Sequence, residues 1–200
     1  AYKYRLYPTK DQEELLLKHF GCVRYIYNWG LDYKTKHYKE TNKNIGYMQL
    51  SGKNGALSKL KKENEWLKEV NSQSLVSALG NLDRAYSNFF AHRSSFPKFK
   101  KKSEKQSFQV PQHGWFDIKN NRLYIPKFKE GLYCKIHRKL PTGRQGTITI
   151  SKNPSGRYFA SVIVEIDENI PERQMPIKET TIGIDFGLKT FLTTSKGEKI

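Results

Sequence analysis

Negative charge is scarce in this chain: 19 Asp and Glu stand against 36 Lys and Arg in 200 residues, a net charge of +17. So one-sided a balance seeks polyanions. Cysteine is scarcer still. Cys22 and Cys134 form no Cys-x-x-Cys pair, which argues against both a disulfide scaffold and a zinc site in this sequence. No apolar run approaches the ~20 residues of a spanning helix and no signal peptide is visible, so a membrane is not the expected partner. The five histidines, at 19, 37, 92, 113 and 137, show no metal-ligand spacing. A P-loop, a dinucleotide fingerprint, an internal repeat and a Ser or Cys nucleophile constellation are all missing. Neither a nucleotide cofactor nor a small-molecule substrate is indicated.

What remains is a foldable basic protein. The composition, 36% hydrophobic and 13% aromatic, suffices for real cores and excludes a disordered basic tail. The charge is uneven: residues 93–144 carry 14 basic and 3 acidic residues, a balance of +11, whereas residues 151–200 carry 7 of each. Nucleic acid is the expected partner.

Tyr2 to Tyr7 alternates Tyr and Leu with basic residues, as a short strand does, and Pro8 ends it. Thr9 followed by Gln12 forms a capping box and opens a helix. Leu16, Phe20, Val23, Tyr27 and Leu31 share one face of that helix, with interruption expected near Gly21 or Gly30. Residues 46–55 read as loop, and Ala56 to Glu63 as a short helix. The clearest helix carries Leu75, Leu79, Leu82, Tyr86 and Phe89 and opens after Asn71-Ser72, either of which caps. At Phe96-Pro97-Lys98-Phe99-Lys100-Lys101-Lys102 the character changes. Beyond it Phe108 to Val110, Arg122 to Ile125, Leu132 to His137, Thr147 to Ser151 and Arg157 to Ile166 read as strands separated by turn signals. Short strands at this spacing favour an antiparallel barrel, with the last strand central.

Near the end lies Gly183-Ile184-Asp185-Phe186-Gly187, between two β-branched and apolar runs that read as a strand, a turn and a strand. Asp185 thus sits at a strand end. A carboxylate there suits a divalent metal, because hard cations take oxygen ligands and a strand aims them. Asp beside Gly is also common where strands simply reverse. After Asp185 the only acid is Glu198, so no closed carboxylate site can be drawn.

Six segments, in order, carry a resemblance: Arg5-Leu6-Tyr7-Pro8-Thr9, Tyr25-Ile26-Tyr27-Asn28-Trp29, Trp66-Leu67-Lys68-Glu69-Val70, Phe89-Phe90, Phe96-Pro97-Lys98-Phe99-Lys100 and Gly183-Ile184-Asp185-Phe186-Gly187. Together they resemble the TnpB/OrfB proteins, transposon-encoded RNA-guided DNA endonucleases formerly called transposases and related to type V CRISPR effectors. The resemblance implies an α+β fold: an antiparallel, OB-like wedge barrel interrupted by an inserted helical recognition lobe, then the first β-hairpin of a RuvC or ribonuclease H-like domain. Residues 1–8 would be the barrel's first strand, 9–95 the recognition lobe, 96–167 the rest of the barrel, 168–179 a linker and 180–200 the start of the nuclease. The partners implied are a guide RNA and double-stranded target DNA, and the location is the prokaryotic cytoplasm, with nucleoid association.

By the same resemblance Asp185 matches the family's first catalytic aspartate and an Mg²⁺ ligand, while the remaining acids and a zinc ribbon would lie beyond Ile200. Since the chain begins at Ala1 and stops inside an apparent hairpin, it is expected to be part of a longer protein and to bind without cutting. Lys98, Lys100, Lys101, Lys102, Arg122, Lys127, Arg138 and Arg144 are the candidate phosphate contacts. Tyr47, Asn71, Ser72 and Gln73 fall where the family reads the short DNA motif flanking its target. Alternatives are a repressor of the same family without nuclease activity, and a simple duplex-binding factor using Thr9 to Leu31 as a helix-turn-helix.

Overall fold

The computed structural model describes residues 1–103, 105–167 and 175–200; part of the expected linker, 168–174, lies outside them. Two compact units are present, 1–166 and 167–200. In the first, strand β1 (Tyr2–Tyr7) leads into helix α1 (Lys10–Thr41), whose start is the anticipated capping box: the Gln12 N–H donates to Thr9 Oγ1 and the Thr9 N–H to Gln12 Oε1. The helix is continuous for 32 residues, ending where Asn42 turns left-handed at φ 54°.

The expected break at Gly21 or Gly30 does not occur, and at Gly30 the reason is packing. A Cβ there would lie 2.7 Å from Leu79 Cδ2 and 3.1 Å from Leu82 Cδ2, both on helix α4 (Ser72–Phe90). Glycine thus serves close approach between helices, and their contact offsets its poor helix propensity. The expected loop at 46–55 also departs from the reading, since it contains helix α2 (Tyr47–Ser51). Gln49 accounts for it by accepting the Gly46 N–H (2.7 Å), as a capping residue would. Helix α3 (Ala56–Glu63) and a 3₁₀ turn at Glu65–Lys68 lead into α4.

Strands β2 (Gln106–Val110), β3 (Trp115–Asp117), β4 (Arg122–Tyr124), β5 (Leu132–Lys135), β6 (Arg144–Lys152) and β7 (Tyr158–Glu165) complete an antiparallel seven-stranded sheet with β1. Its order is β2-β6-β7-β1-β5-β4-β3, so β7 is interior as expected. Strand β3, three residues long, was not anticipated from the pattern.

One face is buried by the period-2 alternation: Tyr4 and Leu6 on β1, Leu132 and Cys134 on β5, Tyr158, Ala160 and Val162 on β7. Phe20 of α1 packs there with its ring 5.3 Å from Phe108, and the Tyr158 hydroxyl donates to Glu13 Oε1 at 2.6 Å. The sheet also curls. Tyr4 and Phe116 are three strand spacings apart, ~14 Å if flat, yet their rings meet at 5.5 Å. A Cβ on Gly114, just before β3, would meet Ile148 Cδ1 of β6 at 2.8 Å.

The second unit holds a hairpin, β8 (Ile184–Asp185) with β9 (Thr193–Thr194), in which Asp185 faces Thr193.

The two glycines of α1 respond oppositely to substitution. Gly30→Val, which overfills the α1–α4 contact, lowers unfolding free energy by about 1–3 kcal/mol in urea titrations. Gly21→Ala raises it by up to ~1 kcal/mol, because nothing lies within 4 Å of the added carbon.

Candidate nucleic-acid interface

The start of α4 is built around a buried histidine. His19 is fully buried, its Nδ1 2.8 Å from the Leu15 carbonyl, while its Nε2 accepts the Asn71 N–H at 3.1 Å. The ring stacks on Phe108 at 4.8 Å and tilts against Phe128 at 5.4 Å. Both contacts suit one neutral tautomer, with the proton on Nδ1. Burial pushes its pKa down to about 4, against the weaker pull of the Leu15 carbonyl.

Asn71 is the α4 N-cap, its Oδ1 accepting the Gln73 N–H at 3.1 Å. It is buried, and its Nδ2 has no partner among the described residues. Ser72 and Gln73, by contrast, are exposed. Ser74 turns inward and donates to the Gln109 carbonyl at 2.7 Å, tying the first turn to β2. Tyr47 lies farther along, 3.7 Å from where a Gly80 Cβ would be. Gly80 is about two turns beyond Ser72, so Tyr47 and the exposed pair do not form one cluster.

Lysines surround this helix start. Lys61 Nζ donates to Ser72 Oγ at 2.7 Å, and Lys127 Nζ to the Lys68 carbonyl at 2.9 Å. Burial, then the neighbouring charges of Lys127 and Lys68, holds the Lys61 ammonium below its usual pKa. Of the three, only Lys127 was singled out from sequence. A hint for the others was the lysine-rich run from Lys59 to Lys68, although nothing local shows Lys127 joining it. The α4 dipole and these ammoniums favour an anion at the same place.

The other basic candidates divide. Lys98, Lys101 and Lys102 are exposed on an extended segment, clipped to α1 where Asn28 bonds both backbone groups of Lys100 at 2.8 and 3.0 Å. Lys100 Nζ lies 4.1 Å above the Tyr27 ring. Arg122 commits Nη1 to the Glu130 and Gly131 carbonyls, and Arg138 donates to the Ala1 carbonyl while covering Tyr2 at 4.4 Å. Arg144 stands opposite Glu165 in the β6–β7 register. Of these candidates, only Lys98, Lys100, Lys101 and Lys102 lie together on one exposed segment.

Asp185 is exposed and belongs to no group of three or more potential metal-ligating side chains among the described residues. Glu198 turns back into its own loop, its N–H donating to Thr194 Oγ1 at 3.2 Å. One carboxylate does not fit an Mg²⁺ site, which takes several oxygens in near-octahedral array, so no chemical step follows from the residues present.

The OrfB family model described as a helix-turn-helix domain matches residues 1–43. A Streptomyces pristinaespiralis protein named as a candidate RNA-guided DNA endonuclease is 36% identical over 203 residues, covering 100% of this chain and 49% of its own length. The chain belongs to the TnpB/OrfB family. InsQ of Escherichia coli strain K12, named likewise, is 30% identical over 98% of this chain and 47% of InsQ. The virulence protein VsdF of Salmonella dublin is 34% identical over 52% of this chain and 95% of VsdF. The chain therefore spans about half the length of the first two relatives. Over residues 10–41, the region matched by the helix-turn-helix description, this TnpB/OrfB chain forms one continuous helix without a turn, so the Thr9 to Leu31 helix-turn-helix is not present.

Because His19 is neutral when folded and titrates near 6.5 when unfolded, the unfolded state binds more protons below neutrality. The stabilisation is complete above pH 6.5 and is lost as pH falls toward 4. Unfolding free energy should drop by about 2 kcal/mol between pH 7 and pH 5, with that drop missing in His19→Gln by denaturant titration at each pH.

Proposed function

We propose that this chain is the guide-RNA-binding and target-DNA-binding portion of a TnpB-type RNA-guided DNA endonuclease associated with a transposable element. The observation that carries the reading is the gathering of Lys61 and Lys127 at the α4 N-terminus beside the exposed Ser72 and Gln73, with Lys68 close by and paired to Glu65. Cations there hold a phosphate backbone, and polar side chains one turn into a helix reach base edges in a groove. Two proteins named as candidate RNA-guided DNA endonucleases, similar along essentially this whole chain, support it.

In this reading the curled sheet is the family's OB-like wedge barrel, supported by the Tyr4–Phe116 and Gly114–Ile148 approaches that bend β3 toward β6. Helices α1 to α4 are the recognition lobe, and the strip from Lys98 to Lys102 neutralises guide-RNA phosphates. The hairpin of β8 and β9 begins a RuvC-like domain. There Asp185 would contribute one Mg²⁺ ligand, and cleavage belongs to the whole protein.

RNA affinity is expected to fall steeply with salt, the logarithmic slope losing about 0.7 for each single-strand phosphate contact removed. Lys98→Gln with Lys102→Gln should reduce that slope by about 1.4, and binding independent of salt would overturn the assignment. Exchanging Ser72 and Gln73 should change which flanking motif is preferred in duplex-binding competition, discrimination of about 1–3 kcal/mol per base contact being at stake. An unchanged preference rejects their role as readers.

A further inference from the structure

The outward face of β7, β1 and β5 carries an arrangement that the fold does not need. Alternation sends Lys3, Arg5 and Tyr7 of β1, Tyr133 and Lys135 of β5, and Phe159 of β7 away from the core. The pairing register then sets Arg5 directly opposite Lys135 on one side and Phe159 on the other, with Tyr7 opposite Tyr133. Facing residues on antiparallel strands hold their Cβ atoms about 5 Å apart, and like charges there destabilise a sheet.

No ion pair relieves Arg5, Lys135 or Lys3 among the described residues, although surface lysines elsewhere in the chain do find carboxylates. The acid on the outward side of β7, Glu165, lies at its far end opposite Arg144. Aromatic rings lie within the same patch. Tyr7 and Tyr133 are 40% and 44% exposed with ring centroids 5.8 Å apart, Arg5 covers Tyr7 at 4.7 Å and Lys3 covers Phe159 at 4.4 Å. A depression of about 450 Å³ is lined by Lys3, Arg5, Tyr7, Lys135, His137 and Phe159.

We infer that this face is a cradle for single-stranded RNA, in which Arg5 and Lys135 share one backbone phosphate and Tyr7 with Tyr133 stacks an adjacent unpaired base. An anion between the two cations removes the repulsion that the register imposes. A planar ring is what exposed aromatics between cations accept, and single strands bring phosphates and bases together. An acidic peptide supplies the charge without the rings. The cradle rests on the guide-RNA reading above, and of its residues only Arg5 and Tyr7 also fall in a segment that carries the family resemblance.

The test measures, on the full 200-residue chain, RNA affinity as a function of salt and thermal unfolding without RNA. Lys135→Glu, which replaces the like-charged pair by an opposite one, should leave the unfolding midpoint unchanged or raised while lowering affinity for a fluorescent single-stranded RNA by at least ~10-fold at low salt. The conservative Lys135→Arg should retain affinity. Tyr133→Ala should weaken binding by at least ~5-fold, the lower end for one lost stacking contact, with Tyr133→Phe restoring it. If wild type shows no salt-dependent RNA binding, the guide-RNA reading and the cradle both fall. If wild type binds, and the folded Lys135→Glu and Tyr133→Ala proteins bind as well as it does, the cradle alone is overturned. Equal displacement of the RNA by polyglutamate would likewise overturn it, since charge alone would then explain the patch.

Discussion

The contact on which most of the first unit depends is the imidazole of His19 held between the Leu15 carbonyl and the Asn71 N–H. Through it α1 determines where α4 begins. The ring also packs on Phe108 of β2 and on Phe128, so one side chain ties two helices to the sheet. A leucine of similar size would fill the space but leave the Asn71 N–H without an acceptor, at a cost of about 1–3 kcal/mol for a buried orphan. With Asn71 fixed as the cap, Ser72 and Gln73 are the first α4 side chains to face solvent, and Lys61 reaches the hydroxyl of one of them. The candidate reading surface is therefore positioned by buried polar geometry, not by the loop before it.

Excess positive charge must be tolerated by the same fold. Lys34 shows one means: it is buried on α1, donates to the Ile45 carbonyl at 2.6 Å, lies 4.0 Å from Asp83 and covers the Tyr86 ring. Burial depresses its pKa, and Asp83 works against that shift. This charge is spent on joining α1, the following loop and α4. At Lys61 and Lys127, and again at Arg5 and Lys135, the charges instead sit beside one another, while neighbouring Lys68 pairs with Glu65 at 2.9 Å. Such groupings weaken a fold in isolation, which is the physical reason for proposing anions there.

Legibility in the sequence followed how local each cause is. The Thr9–Gln12 capping box, the Leu75 to Phe89 stripe and the alternation of Tyr2 to Tyr7 are decided within a few residues, and each could be read directly. Gly30 could not, because its role is to admit Leu79 and Leu82 from a helix some fifty positions away. β3 was too short to show a period, and α2 is a single turn plus one residue in a segment rich in turn-formers. For the candidate site, exposed Ser72 and Gln73 were accessible to helix-start rules. The joining of Lys127 to the lysines beside them, the diversion of Arg122 into the β4–β5 turn, and Lys135 facing Arg5 are products of tertiary register that no local pattern encodes.

Asp185 presents the opposite situation, where local structure is plain and the chemistry is not. Strand pairing with Thr193 and the Gly187 N–H to Thr190 carbonyl bond at 3.2 Å define the hairpin. Two-residue strands are marginal by themselves, and Ile184, Phe186, Leu188 and Phe191 all stand exposed. Apolar side chains on both sides of a hairpin are a surface made for burial. A metal site needs ligand directions fixed to a fraction of an ångström, which two-residue strands with uncovered apolar side chains do not provide for the Asp185 carboxylate.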